Sequence, residues 1–182
     1  MAIFFILAGA AVRVLSHFDF IAHLPNFAPI AAMALFGGVY LNKKYALIVP
    51  LTAMLLADVF IGFYSPWLMA SVYGSFLLIG LMGLWLKNNK TFTNVIGASL
   101  LGSIAFFLIT NFGMWAVQPI MPTAIYPQTW QGLIDSYIMG LPFFRNTILG
   151  DLFYAGAMFG LMEAVLWVTR KVTSKRSQVV KI

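Results

Sequence analysis

What most constrains this chain is that it is almost nothing but apolar runs: six stretches of roughly membrane-spanning length, broken only by short clusters of Pro, Asn, Gly and Lys. Hydrophobic residues make up 62% of the sequence and charged residues 9%, whereas soluble domains carry about 25% charged residues. So few polar groups cannot cover a water-facing surface. In lipid every backbone polar group must find an internal partner, which leaves a helical bundle or a closed barrel. The runs are too long and too unalternating for barrel strands of about 9–11 residues. The expected fold is therefore all-α: a polytopic membrane protein of about six transmembrane helices.

The expected spans are 2–17, 27–41, 45–63, 67–86, 93–117 and 143–169. The first two are short, and the second is expected to be tilted or partly embedded. Residues 118–142 are too rich in apolar and aromatic side chains for a solvated loop, so a short amphipathic helix or cap is expected there. Residues 1–170 read as a single transmembrane helical domain and 171–182 as a basic cytoplasmic tail. The opening Met1-Ala2-Ile3-Phe4-Phe5 lacks the basic start of a cleaved signal peptide, although Ala8-Gly9-Ala10 imitates a cleavage site, so the first helix reads as retained. The absence of cysteine excludes disulfide and thiolate chemistry.

The net charge is +6, but the cations are not gathered on one accessible face, as nucleic-acid binding requires. The anionic surface of a bilayer fits them better. Lys43 and Lys44 follow the second span, Lys87 and Lys90 the fourth, and Arg170, Lys171, Lys175, Arg176 and Lys181 the sixth. An even number of crossings puts these nine of the eleven basic residues on one side, with Arg13 and Arg145 opposite. Basic residues in short loops mark the cytoplasm, so both termini are expected there.

With that orientation, most of the unusual polar residues fall in the outer half. Arg13 and His17 share a face at the outer end of the first helix, and Asp19, His23 and Asn26 follow in the next turn. Asp58 sits about 8 Å below the outer end of the third helix. Asn111, Trp115 and Gln118 have the spacing that stacks them on one face of the fifth. Arg145 and Asn146 open the sixth, and Asp151 follows, with Thr147 and Ala155 on its face. Ionisable groups in a bilayer are costly unless they face a bundle interior or a wet cavity, usually with a partner. Asp58 and Asp151 are thus the leading site residues, with Arg13 and Arg145 as countercharges in an unassigned pairing. The set reads either as an outward-opening polar pocket or as an ion-pair network that only fixes helix packing. Tyr64, Trp67, Trp115, Tyr126, Trp130 and Tyr137 lie at the same level, as pocket walls or as an interfacial aromatic belt.

Other chemistry is poorly represented. His17, Asp19 and His23 form only a sparse metal triad without a further donor, so no metal is expected. Glu163 is too far along its helix to act with Asp151 as a catalytic pair, and no Ser-His-Asp pattern, HExxH or phosphate-binding glycine loop is present. The chain does not read as an enzyme, and no cofactor is expected. Gly156, Gly160 and Ala164, Ala98 and Gly102, and Ala28 and Ala32 form small-residue faces that serve packing inside the bundle or docking of a partner membrane subunit.

The segments Pro25-Asn26-Phe27-Ala28-Pro29-Ile30-Ala31-Ala32-Met33-Ala34-Leu35-Phe36-Gly37-Gly38, Pro50 to Asp58 with Gly62, Asn111-Phe112-Gly113-Met114-Trp115, Tyr126-Pro127-Gln128-Thr129 and Pro142 to Asp151 resemble an uncharacterised family of small bacterial membrane proteins, from about Arg13 to Gly160. In size, helix count, cytoplasmic ends and outward polar cluster the chain is also similar to the substrate-capture (S) components of energy-coupling-factor transporters. That resemblance implies an S-component-like bundle in the bacterial inner membrane, binding a vitamin or related micronutrient from outside. A membrane coupling subunit and ATPases would be its partners. The substrate-binding residues expected on this reading are Arg13, His17, Asn26, Asp58, Asn111, Trp115, Arg145, Asn146 and Asp151. The rivals are a self-sufficient proton-coupled carrier using Asp58 or Asp151, and a structural or assembly subunit without a ligand.

Overall fold

A computed structural model describes residues 2–18, 25–121 and 124–179. The described residues form six α-helices: α1 (Ala2–His17), α2 (Ile30–Tyr40), α3 (Lys43–Ile61), α4 (Pro66–Leu86), α5 (Phe92–Ala116) and α6 (Trp130–Val179), with one 3-10 turn at Gln118–Ile120. Four stretches are long and apolar enough to cross a membrane, namely Lys43–Ile61, Pro66–Leu86, Phe92–Ala116 and Trp130–Thr173. The boundaries have local causes. Pro66 occupies the first turn of α4, where a missing N–H costs nothing. Thr91 caps α5 by accepting the Asn94 N–H at 3.1 Å. Gly62 ends α3 at φ 108°, a conformation that L side chains rarely adopt.

The first five helices start and stop within a few residues of expectation; the sixth does not. Among the described residues of 118–142 there is a 3-10 turn but no separate amphipathic helix: helix α6 begins at Trp130, passes through Pro142 and continues to Val179, 50 residues in all. Thr129 accepts the Gly132 N–H at 3.2 Å and so starts it. From sequence alone Pro142 reads as a stop, because an interior proline removes one helical hydrogen bond. Among packed membrane helices neighbours can re-satisfy the freed groups, and the helix runs on. The basic segment after 170 continues α6 as far as Val179.

Helix α2 is the centre of the bundle. At 11 residues it is about 16 Å long, too short to cross a bilayer. Its residues Ile30 to Val39 are all buried, the signature of a helix enclosed on every side by protein. Its crossing with α4 is made backbone to backbone: a Cβ on Gly38 would collide with the backbone of Gly83. The outward faces carry large exposed apolar side chains such as Phe4, Phe60, Leu81, Leu101 and Leu161, as lipid contact requires.

Adjacent helix ends define two poles. One gathers the C-termini of α1, α3 and α5 with the N-terminus of α2. At the other, Tyr40, Lys90 and Glu163 meet: the Tyr40 hydroxyl donates to Glu163 Oε1 at 2.7 Å, Lys90 Nζ donates to the Tyr40 hydroxyl at 3.0 Å, and Lys90 pairs with Glu163. Those two hydrogen bonds, to Glu163 first and Tyr40 second, raise the Lys90 pKa above its ordinary value. The small-residue face of α6 does not pack inside the bundle. Gly156 and Gly160 have open space where a side chain would be, bordering a groove of about 730 Å³ between α5 and α6.

Candidate functional site

The two buried aspartates are built differently. Asp58, on α3, is fully buried, and both its oxygens are engaged. Arg13 Nη2, from α1, donates to Oδ1 at 2.7 Å, and the Tyr73 hydroxyl, from α4, donates to Oδ2 at 2.7 Å. Three helices are thereby tied together below the α3–α4 turn. In that turn Tyr64 is held as a neutral phenol, its pKa raised by burial and by Asp58 against the opposing pull of Arg13.

Asp151, on α6, is 3% exposed. Ser103 Oγ, from α5, donates to its Oδ2 at 2.7 Å, and no cation pairs with it among the described residues. Its carboxylate borders a recess of about 70 Å³, together with Arg13, Asn26, Ile30, Ala31 and Thr147. Arg13, Asn26, Val72, Phe106 and Thr147 also border a larger chamber of about 390 Å³, which opens between α1, α4, α5 and α6. The recess is thus the inward continuation of the chamber, one turn along α6 from Thr147. Polar groups at the chamber wall are Arg13, Asn26, Tyr64, Thr110, Asn111 and Thr147; Phe106, Phe107, Phe143 and Phe144 supply the aromatic surface. Asn26 holds φ 64°, a left-handed backbone that asparagine tolerates better than most residues.

The expected site residues divide accordingly. Arg13, Asn26, Asn111 and Asp151 border the connected cavities, and Asp58 stands directly behind Arg13. Asn111 Nδ2 is tied to Phe107 O at 2.8 Å. His17 is exposed and borders a separate outer cleft of about 260 Å³ that shares only Arg13, Asn26 and Ala28 with the two cavities. Asp19 and His23 lie outside the described residues, and the described ones contain no metal-binding group of three His, Cys, Asp or Glu.

Arg145, Asn146 and Trp115 border neither cavity. Arg145 is exposed and, contrary to one of the two expected pairings, is not the countercharge of Asp151. The reason is helical phase: Arg145 is two residues from Thr147, about 200° around the helix from the Thr147–Asp151 face. Trp115 does share a face with Asn111, but its indole N–H donates to Pro127 O at 3.1 Å, while Gln128 Nε2 donates to Trp115 O at 2.6 Å. Buried Gln118 accepts the N–H groups of Ile125 and Tyr126 at 2.5 and 3.1 Å. The outer end of that stripe therefore anchors the segment leading into α6. Of the aromatic residues at this level, Tyr64 and Tyr126 border the chamber, whereas Trp67 and Trp130 are exposed on the outside.

Sequence reasoning missed Tyr73 and Ser103, the two hydroxyls that address the aspartates. Tyr73 is a lone polar group in an apolar helix and carries no pattern. Ser103 does: Ser99, Ser103, Phe106 and Thr110 recur at spacings of four, three and four, one inward face of α5.

No curated protein and no solved structure matches the chain. The sequence model of a family of unknown function (DUF6580) matches residues 1–175, so the chain, with its buried aspartates and shared chamber, belongs to that family.

Proposed function

We propose that this protein is the membrane-embedded, solute-binding component of a micronutrient- or vitamin-type uptake system, of the kind represented by the S components of energy-coupling-factor transporters. In this reading it is a six-helix bundle in the bacterial inner membrane, both termini cytoplasmic, with the chamber facing outward. The supporting observation is the chamber itself: a cavity of about 390 Å³, lined by polar and aromatic side chains, at the pole opposite Lys90 and Glu163. A purely structural subunit gives no reason to keep such a volume open. Asn26, Asn111 and Arg13 would contact the solute, Asp151 would form the floor, and Asp58 would hold Arg13 in place. His17, at the outer cleft, would act around the entrance. No phosphate-binding loop occurs in the sequence, so the energy would come from a membrane coupling subunit and its ATPases.

The test is a thermal-shift screen of the purified protein in lipid nanodiscs against a broad metabolite panel, paired with co-purification. Saturable stabilisation by one solute, blocked by the chamber-filling substitution Thr110→Trp, is expected. Silence across the panel together with the absence of an ATPase partner would overturn the proposal. A second reading, a proton-coupled carrier, draws on Asp151, whose carboxylate lacks a cation. Uptake into ATP-free vesicles driven by a proton gradient, and lost in Asp151→Asn, would put the carrier first.

A further inference from the structure

The recess beside Asp151 is bipolar. On one wall stands the Asp151 carboxylate with a single hydroxyl donor, Ser103. An ionised carboxylate at this depth is expensive without a countercharge. Neither arginine of this pole supplies one, since Arg13 is engaged by Asp58 and Arg145 lies on another face of α6. A proton on Asp151 or a cation brought by a ligand can meet that cost.

The other wall is of opposite character. Ile30 and Ala31, the first two residues of α2, border the recess. Pro29 before them provides no side-chain cap, and among the described residues the Met33 N–H is the first in the helix with a backbone acceptor, Pro29 O at 2.8 Å. The first turn of α2 thus lies at the recess, and the start of a helix, with its dipole and its N–H groups lacking intrahelical acceptors, favours an anion. Arg13 stands at the same wall with a guanidinium that has more donors than Asp58 uses. The recess is small, about 70 Å³, so the two poles are close together, and it opens into the larger aromatic chamber.

We infer that the solute is a zwitterionic amino-carboxylate with an aromatic or branched apolar body, its ammonium on Asp151 and its carboxylate on Arg13 and the α2 N-terminus. The body lies in the chamber against Phe106, Phe107 and Phe144. This assignment rests on the solute-capture reading and gives it a substrate class. It also explains why two aspartates of like burial have unlike partners: one positions the arginine, the other waits for an amine.

The probes are L-phenylalanine, L-tryptophan and L-leucine, each with the amine that lacks its carboxylate and the acid that lacks its amine. Binding is measured by calorimetry and thermal shift on the full chain in nanodiscs. At least one intact amino acid is expected to bind saturably and about tenfold or more tighter than either of its halves, as when a buried charged partner is left unmatched. Asp151→Asn should erase the advantage of the amino acid over its amine-free acid while the empty protein still melts cooperatively. If Asp151→Asn does not fold, Asp151→Glu, which keeps the charge but lengthens the side chain into the recess, should weaken amine-bearing probes and spare the acids. Failure of the whole amino-acid set, equal binding of the amine-free acids, or an unchanged amine preference in the Asp151 variant would overturn the assignment. A neutral or purely anionic metabolite that binds the chamber in the broad screen would overturn it while leaving solute capture standing. Silence in both screens would overturn both.

Discussion

Asp58 and Asp151 are the same residue type and both buried, yet Asp58 is closed off behind Arg13 while Asp151 borders the recess that leads from the chamber. Asp58 has Arg13 on one oxygen and Tyr73 on the other, from two different helices. Asp151 has Ser103 alone and a cavity in front of it. The difference teaches that burial alone does not say what a carboxylate does. What distinguishes these two is whether the protein itself completes the electrostatic partnership. A completed pair contributes to the fold, and its disruption strands a charge. On the solute-capture reading, an incomplete one is a standing cost kept for a ligand.

The sharpest break of this contrast is Asp58→Ala, which leaves the Arg13 guanidinium unpaired beside buried Met54. The expected loss is about 3–5 kcal/mol of stability, read as failure to accumulate or a collapsed melt in detergent. Asp151→Asn should change the stability of the empty protein by no more than about 1 kcal/mol. Equal losses would erase the distinction. Next comes Tyr73→Phe, which removes one hydrogen bond to a charged acceptor in a dry setting and should cost about 1.5–3 kcal/mol in the same melt. Ser103→Ala removes the corresponding bond at Asp151, but water in the recess can replace it. About 1 kcal/mol or less is expected, and a larger loss would show that the recess is dry and closed. The smallest effect belongs to the opposite pole. Glu163 is 52% and Lys90 32% exposed, so Glu163→Gln should cost below about 0.5 kcal/mol and less still in high salt. The raised Lys90 pKa fixes the pH sense: its contribution is complete below the ordinary lysine value of 10.5 and is lost as the pH climbs above it. Melts across neutral pH should not register this pair.

Much of the architecture was legible because apolar length is a direct physical signal. The runs at 43–61, 66–86 and 92–116 are set by hydropathy and by Pro66, Thr91 and Gly62 at their ends. The start of α6 was not, because Pro142 and the segment before it, with Pro119, Pro122 and Pro127, look locally like an interruption, and only neighbouring helices make a continuous helix tolerable there. At the site, the depth of Asp58 and Asp151 followed from counting residues along their helices. Pairing did not, since Arg13 and Asp58 are 45 residues apart and nothing local links them. Arg145 shows the opposite hazard: it is close to Asp151 in sequence, yet helical phase turns it away. The hydroxyl stripe of α5 was readable in principle but is modest beside the charged residues around it.

Helix α6 has one more consequence. From Asp151 to Val179 it continues for 28 residues, or about 42 Å of rod, more than the roughly 30 Å thickness of a bilayer's hydrocarbon layer. A rotation of about 5° at the aspartate would swing the far tip by about 4 Å. If a solute settles at the floor of the chamber as proposed, that floor is the short arm of a lever whose far end lies more than a hydrocarbon slab's thickness away.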